Sequence, residues 1–374
     1  MENQVDFLII GGGISGLFMA FLLQKNGQTC KILERDASID DRKQGFSLTM
    51  QDVTEKIFEE YGLLNDMYKY GNFTHSKAFY NSNGEILYES PMRNFNYPLP
   101  RQDIRRIFYS FLSKDTVVWN SYVVNVMHSD NTVTVVCNNN TTYCCKMLIA
   151  CDGVNSRVRK IFLPNIKLHD FNLVNIYGLF SLDDMHPNDR KIIENKTIQI
   201  LDGKNRIFSK PFDKHMQMWE LTYPITAIEK PIATQKEALD SALNVTKQWN
   251  LKLAYYAVKL TKIEDIIMHP LYDYVPSLED INNIPTNVVL IGDAIHPMAP
   301  TIGMGANEAI RDCYEFIKYL NIHKDKHDLA VKKYYLDMVM RANTSVMKSR
   351  DHAEFYHSED SVDINKLSVF KKWN

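Results

Sequence analysis

The sequence predicts an α/β protein: a Rossmann-type nucleotide-binding domain that carries a second, antiparallel-sheet domain and closes with a long helix. Three stretches predict it. VDFLIIGGGISG, Val5 to Gly16, reads as a buried strand turning into a helix over Gly11, Gly13 and Gly16, the GxGxxG spacing of a dinucleotide cradle. Cys151-Asp152-Gly153 and Gly292-Asp293 each follow a short apolar run. Each therefore puts a carboxylate at the carboxyl edge of a parallel sheet, where open α/β folds bind their ligands.

In the first stretch Gly11 permits the tight turn, Gly13 lets the backbone approach a pyrophosphate, and Gly16 lets the helix pack closely on the strand. Phosphates then meet free N–H groups at the positive end of the helix dipole. Ile14, Leu17, Phe18, Phe21 and Leu22 keep helical spacing, Gly27 closes the helix, and Thr29 to Leu33 forms a second apolar run. Glu34 ends that run, eighteen residues after Gly16, where a carboxylate accepts hydrogen bonds from the ribose of an adenine dinucleotide. An acid there repels the 2′-phosphate of NADP as the tightly held ligand.

Composition narrows the partners. A chain of 374 residues with 45% hydrophobic content exceeds the usual single-domain size, so two domains are expected. The net charge of -2, with no block of like charge, offers nothing to nucleic acid or an anionic membrane. A small-molecule ligand is expected instead. No apolar run reaches membrane-spanning length, and Met1 to Gln4 carries no secretion signal. The six cysteines show neither CxxC nor zinc spacing, which points to reduced packing thiols, a cytoplasmic location and no metal. Oligomeric state is left open.

In chain order, a helix is predicted from Asp52 to Tyr61 and another over Pro100 to Leu112, with Arg101 at or before its start and Arg105 and Arg106 on its body. Arg101 is placed either to reach an anionic ligand or to be a solvated helix-end guanidinium. Val117 to Trp119, Tyr122 to His128 and Thr132 to Cys137 read as a meander around the turns Asp130-Asn131 and Asn138 to Asn140. Lys146 to Ala150 is a buried strand, and Ser156 and Arg159 fall on the helical turn after it, where Asp152 and Arg159 can pair. Runs at Val174 to Leu182, Lys196 to Leu201, Arg206 to Pro211 and Gln217 to Tyr223 predict hairpins, covered by helices over Gln235 to Trp249 and Lys252 to Lys262. Val288 to Ile291 is a strand, and the Pro297 to Gly305 loop leads into a helix with Ile310, Cys313, Phe316 and Leu320 on its apolar face. The expected division is residues 1–70, 101–163 and 284–322 for the nucleotide domain and 71–100 with 164–283 for the second. A closing helix follows over 326–357, and 358–374 reads as a loosely ordered tail.

Taken in order, GGGISG with Glu34, CDGVNSRVR and GDAIHPMAPTIGMGANEA, together with Arg101 in PRQDIRRIF, resemble the class A flavoprotein monooxygenases. This is the para-hydroxybenzoate hydroxylase-like family that includes the tetracycline-inactivating enzymes, and the likeness runs from about Val5 to Leu320. It implies FAD, with the diphosphate on Gly11, Gly13, Ile14, Ser15 and Gly16, and the adenosine ribose on Glu34 with Arg35 beside it. Arg101, Asp152 and Asp293 would contact the ribitol and diphosphate region, and Pro300, Gly303, Gly305, Ala306 and Asn307 the flavin ring, whose reduced anion suits a helix start. Asp152, Gly153, Ser156 and Arg159 match a motif linked to both FAD and a transiently bound NAD(P)H.

The implied reaction uses NAD(P)H and dioxygen to hydroxylate an aromatic or polycyclic phenol or enol, possible tetracyclines included, through a flavin C4a-hydroperoxide. The substrate is expected between the antiparallel sheet and the flavin, on Tyr177, Phe208, Met218 and Trp219 from the sheet and Pro300, Thr301 and Ile302 from the loop. No side chain is assigned as catalytic, because the chemistry belongs to the cofactor, and His296 reads as fixing its loop rather than as a base. Two other readings share parts of the pattern: a reductase or dehydrogenase of the isoprenoid-saturating type, and a flavin-binding protein without turnover. A flavin-dependent halogenase fits poorly, since the segment nearest its WxWxI signature reads MQMWELTYP.

Overall fold

The computed structural model describes residues 3–41, 47–71, 74–91, 98–129, 132–227, 232–324 and 326–372. Apolar runs with no polar face become the strands of a sheet covered on both sides. Val117–Val118, Cys30–Leu33, Gln4–Ile10 and Thr142–Ala150 lie parallel in that order, and Val288–Leu290 pairs in parallel with the end of Thr142–Ala150. The start of Thr142–Ala150 pairs instead with Val133–Cys137, which continues antiparallel to Val123–His128. One long strand thus serves two partners along the same edge.

This register brings four turns to one end of the sheet. Ile10 lies opposite both Leu33 and Ala150, and Ala150 opposite Leu290, so the turns at Gly11, Glu34, Cys151 and Ile291 leave the sheet at one level. Helix Ile14–Lys25 is buried along nearly its whole length, its Phe18 ring 4.9 Å from Phe108 of helix Arg101–Ser110. Helix Gly305–Ile322 packs beside it.

The predicted meander fails at its first strand. Val117–Val118 pairs with Cys30–Leu33 at the far edge, held by Ile32 N to Thr116 O at 2.8 Å and Glu34 N to Val118 O at 3.0 Å. Two residues offer too little ladder for a hairpin, and an unpaired parallel edge was available to them. The Asp130-Asn131 turn lies outside the described residues.

The second sheet runs Ile267–Met268, Leu173–Ser181, Met216–Pro224, Arg206–Pro211, Lys196–Leu201, Ser76–Asn81 and Ile86–Pro91. It is antiparallel except where Lys196–Leu201 meets Ser76–Asn81. Strand alternation gives it two unlike faces. Ile176, Leu221, Ile207 and Ile200 form one row and, with Trp219, pack under helices Gln235–Lys247 and Leu253–Lys259. Tyr177, Glu220, Phe208 and Gln199 form a row on the other face. That face meets strand Ser47–Thr49: Ser47 Oγ donates to Met218 Sδ at 3.4 Å and Lys210 Nζ to Thr49 Oγ1 at 3.0 Å.

Helix His327–Tyr356 spans the junction of the two sheets, with Tyr334 Oη donating to Leu290 O at 3.1 Å and Tyr356 packed on Phe79. Residues 358–372 beyond it form regular structure, where the sequence suggested a loosely ordered tail. A short turn, Glu359–Val362, leads to helix Ile364–Lys372, where Leu367 is fully buried and Phe370 stacks on Phe355 at 4.0 Å. Leu367 and Phe370 are spaced to share one face, and Phe79, Leu87 and Leu201 supply a surface no local pattern reveals. No helix among the described residues is long and apolar enough to cross a membrane.

Candidate active site

The glycine turn is built by close backbone approach. Gly11 has φ +98°, and a methyl there would lie 2.6 Å from Cys151 O; one on Gly16 would lie 1.9 Å from Gly11 O. Gly13 differs, since a methyl there would meet no atom within 4 Å. Its surroundings are open. Gly13 precedes helix Ile14–Lys25, whose start has no side-chain cap and no acid in its first turn, so the N–H groups near Ile14, Ser15 and Gly16 lack an intrahelical acceptor. Glu34, almost fully buried, sits beneath this turn: its Oε2 accepts from Gly12 N at 2.5 Å and its Oε1 from Asp36 N at 2.9 Å. Arg35 next to it is exposed.

The sequence reading did not single out Arg105 for this site. Its guanidinium is fully buried, donating to Gly12 O at 3.2 Å, Ile39 O at 3.1 Å and Gln102 Oε1 at 2.8 Å. Helical phase held the clue. Arg105 follows Arg101 by one turn and sits beside Ile104 and Phe108 on the buried side of the helix.

The two Asp turns are joined, though by another contact than the expected Asp152–Arg159 pair. Asp152 Oδ2 accepts from the N–H of Arg157 at 2.8 Å and of Val158 at 3.3 Å, at the start of helix Arg157–Phe162, which Ser156 caps through Arg159 N. Arg159 reaches away instead, donating to Asp293 O at 3.1 Å, Ala294 O at 2.9 Å and Val154 O. Once Asp152 is spent on the helix start, a guanidinium with five donors gains more from three carbonyls. Burial pushes the Asp152 carboxyl up, and hydrogen bonds from Ser156, Val158 and Arg157 pull it back. Gly153 makes the turn possible with φ +77°.

Asp293 is open to solvent yet flanked by protein, which pushes its carboxyl up against the lowering charges of Arg101, His296 and Arg159. Arg101, the first residue of its helix, thus acts on Asp293 across 192 residues of sequence. Asp293 Oδ1 would lie 3.9 Å from a methyl on Gly305, at the start of helix Gly305–Ile322. That start also lacks a side-chain cap. Pro300–Ile302 makes one tight turn, Gly303 follows with φ +69°, and Gly305, Ala306 and Asn307 open the helix. Asn307 is anchored by its side chain: Oδ1 accepts from Gln51 N and Thr54 Oγ1, and Nδ2 donates to Thr49 O and Gly303 O, all between 2.7 and 3.0 Å.

Behind this loop lies a buried charge network. His296 Nε2 and Asp312 Oδ2 are 2.6 Å apart, Asp312 Oδ1 accepts from Arg341 Nη2 at 2.8 Å, and Arg341 also binds Glu308. Burial opposes the charge on Asp312, but His296 and Arg341 overcome it and hold the carboxyl at about 2. The same contact raises His296 above its ordinary value against burial. Thr301 Oγ1 donates to Ser349 O at 2.7 Å, so the long helix holds the loop at a second point.

Of the substrate candidates on the sheet, Tyr177, Phe208 and Met218 share the face turned to strand Ser47–Thr49. Trp219 does not. It is fully buried on the opposite face, its Nε1 donates to Thr261 Oγ1 at 2.8 Å, and a methyl on Gly178 would collide with its ring at 2.4 Å. Adjacent strand residues point to opposite faces, so Met218 and Trp219 could not both line one pocket. The same parity brings in three residues that sequence reasoning missed, Arg206, Lys210 and Glu220. Arg206 Nη1 donates to Glu220 Oε2 at 3.0 Å and Nε to Gln199 Oε1 at 2.7 Å, with the Phe208 and Tyr356 rings 5.2 and 5.4 Å away.

Two uncapped helix starts, an open glycine at the first of them and an acid fixed beneath it suit a long ligand with a diphosphate at one end and an anionic ring at the other. Fold and site are those of an FAD-binding protein. The chain belongs to the FAD binding domain family, whose pattern it matches over residues 4–201 and 284–326. It is 24% identical over 91% of its length to a dual O-methyltransferase/FAD-dependent monooxygenase of Cercospora beticola, of which the match covers 45%. The chain thus spans about half the length of that relative. Klebsiella pneumoniae HpxO, solved with FAD and uric acid, shares the fold at a TM-score of 0.83, with 18% identity over 98% of this chain and 92% of that one. Tetracycline destructase Tet(51) does so at 0.74, with 16% identity over 99% and 96%.

Proposed function

We propose that the protein uses NAD(P)H and dioxygen to hydroxylate an aromatic or polycyclic phenol or enol, a class in which tetracyclines are natural compounds to try. One observation carries the reading: a helix start at Gly305 and the mixed polar and aromatic face of the second sheet approach strand Ser47–Thr49 from two sides. Residues 71–100 and 164–283 then act as the substrate-binding unit, with Tyr177, Phe208 and Met218 on the sheet and Pro300, Thr301 and Ile302 on the loop. Six free cysteines, five of them buried, support a reducing cytoplasm as its compartment.

Bound FAD, reduced by the nicotinamide, supplies the activation of dioxygen. The protein's residues bind, orient and exclude water. N–H groups from Ile14 to Gly16 hold the diphosphate, Glu34 the adenosine ribose, and Arg101 with Asp293 the ribitol region. Gly303, Gly305, Ala306 and Asn307 aim backbone dipoles at the ring edge, where negative charge develops on reduction. Asp152, Gly153, Ser156 and Arg159 hold the neighbouring turn and guide the nicotinamide.

The test is a screen of phenols, anthranilate-like acids and tetracyclines for substrate-dependent NADPH or NADH oxidation under ¹⁸O₂. A product heavier by one labelled oxygen is the expected result. Hydride transfer to a substrate without label would move the protein to the reductases, and FAD that no nicotinamide reduces would make it a binding protein.

A further inference from the structure

We propose that Lys210 recognises an acidic substrate: its ammonium takes an ionised oxygen, carboxylate, phenolate or enolate, on the Ser47-facing side of the second sheet. This rests on the reading that substrate lies on that face. Lys210 stands opposite Met218, which stands opposite Leu179, in the row next to Tyr177, Glu220 and Phe208. It is 6% exposed. An ammonium has three donors, and among the described residues this one makes a single hydrogen bond, to Thr49 Oγ1 at 3.0 Å, and no ion pair. Lysines this deep normally have a carboxylate.

The neighbouring charges are already matched. Glu220, the acid whose field reaches Lys210, is paired with Arg206, and both are at most 3% exposed. Arg206 is in turn held by Gln199 and two aromatic rings. Among the described residues Lys210 therefore remains as a surplus cation, on a face that carries Tyr177, Leu179, Phe208 and Met218 beside the paired Arg206 and Glu220. A surplus buried cation is costly to the fold and becomes favourable only when an anion joins it.

Its position is informative too. Thr49, which accepts from Lys210, gives its carbonyl to Asn307 at the start of helix Gly305–Ile322. The cation is thus one residue from the segment read as the flavin edge. Burial pushes the Lys210 ammonium down to about 7, with Glu220 pulling it back. Near neutral pH it can be empty and uncharged, then protonated when an anion arrives. Glu220, Arg206, Tyr177 and Thr49 are the titratable and polar groups of the surrounding strands that set this balance.

The experiment measures binding to the FAD-loaded protein by perturbation of the flavin spectrum, without turnover. The probes are two acid–amide pairs: 4-hydroxybenzoate with 4-hydroxybenzamide, and 2-aminobenzoate with 2-aminobenzamide. At about pH 6.5 an acid should bind about tenfold or more tighter than its amide, a preference that declines as pH rises toward about 9. Lys210→Met should bring the pair within about threefold, and Lys210→Arg should restore part of the gap. The proposal is overturned if no acid binds at millimolar concentration, if acid and amide bind alike, or if the preference survives Lys210→Met. A flavin spectrum shifted by Lys210→Met without probe, with acid preference intact, would also overturn it by assigning the cation to the cofactor. Should the variant not fold, the wild-type pH profile decides by itself. Acid recognition without labelled oxygen in the product would remove the monooxygenase reading and leave Lys210's role standing.

Discussion

The glycine turn and the Ser47-facing side of the second sheet present different materials to a ligand. At Gly11 to Gly16 the surface is backbone: N–H groups of a helix start, reachable because side chains are missing. At the sheet it is side chain: Arg206, Lys210, Phe208, Met218 and Glu220, brought onto one face by alternation and register. A backbone site tolerates no added atom where it is tight and hardly notices one where it is open. A side-chain site depends on which residue faces which way, so a shift of one position reverses its meaning.

The largest effect expected from this contrast is at Gly16. Gly16→Ala puts a methyl against the Gly11 carbonyl, which is backbone and cannot swing aside, with Cys151 Cβ also near, and should leave little folded, FAD-loaded protein, read as flavin absorbance per mole of purified chain. Gly13→Ala should keep the apoprotein within about 1 kcal/mol of wild type in denaturant unfolding while weakening FAD about tenfold, since only the ligand meets that methyl. Equal damage from both would mean that the turn is structural and not a cradle.

Asp312→Asn comes next, at roughly 3–5 kcal/mol of unfolding free energy, because His296 and Arg341 would lose the charge they share. The Asp312 carboxyl is held near 2, below its unfolded value. It therefore adds stability that is present above about pH 4 and lost as pH falls toward 2, and a melt series should show that loss in wild type and not in the variant.

Lys210→Met works in the opposite direction. The folded state holds this ammonium near 7, far below its unfolded value, so the unfolded chain binds more protons between about pH 7 and pH 10. Wild type should therefore gain stability as pH rises through that range. The variant should be the more stable protein at pH 7, by a few kcal/mol at about 1.4 kcal/mol per unit, and the gap should close toward pH 10.

The smallest effects test parity. Trp219→Phe should cost about 1–2 kcal/mol through the lost Thr261 hydrogen bond and packing, while KM changes less than about threefold. Met218→Leu should do the reverse, moving KM with little change in melting temperature. If Trp219→Phe moved KM more than Met218→Leu, the assignment of faces would be wrong.

Much of the fold was legible beforehand. Lys196–Leu201 and Arg206–Pro211 fall at the strand limits their patterns predict, and the helices after Gly13 and Gly305 begin where glycine and proline punctuation puts them. The errors share a cause. Val117–Val118 paired with a distant strand, Arg159 chose the carbonyls of Asp293 and Ala294 over Asp152, and the tail helix docked through Leu367 and Phe370. Each choice was made by a partner far away in sequence.

By itself the sequence determined where the glycine turns fall, because glycine placement acts through local backbone geometry, and the order of its strands and helices, because periodicity is local too. Only the tertiary structure decided which strand residues face strand Ser47–Thr49, which charges are matched and which are left over. Trp219 and Met218 are neighbours in sequence and sit on opposite sides of a sheet. Lys210 is a surface-type residue in composition, and the packing of strand Ser47–Thr49 against it makes it a buried ammonium whose one hydrogen bond among the described residues is to a hydroxyl. Burial and pairing are properties of neighbours in space, and folding supplies those neighbours.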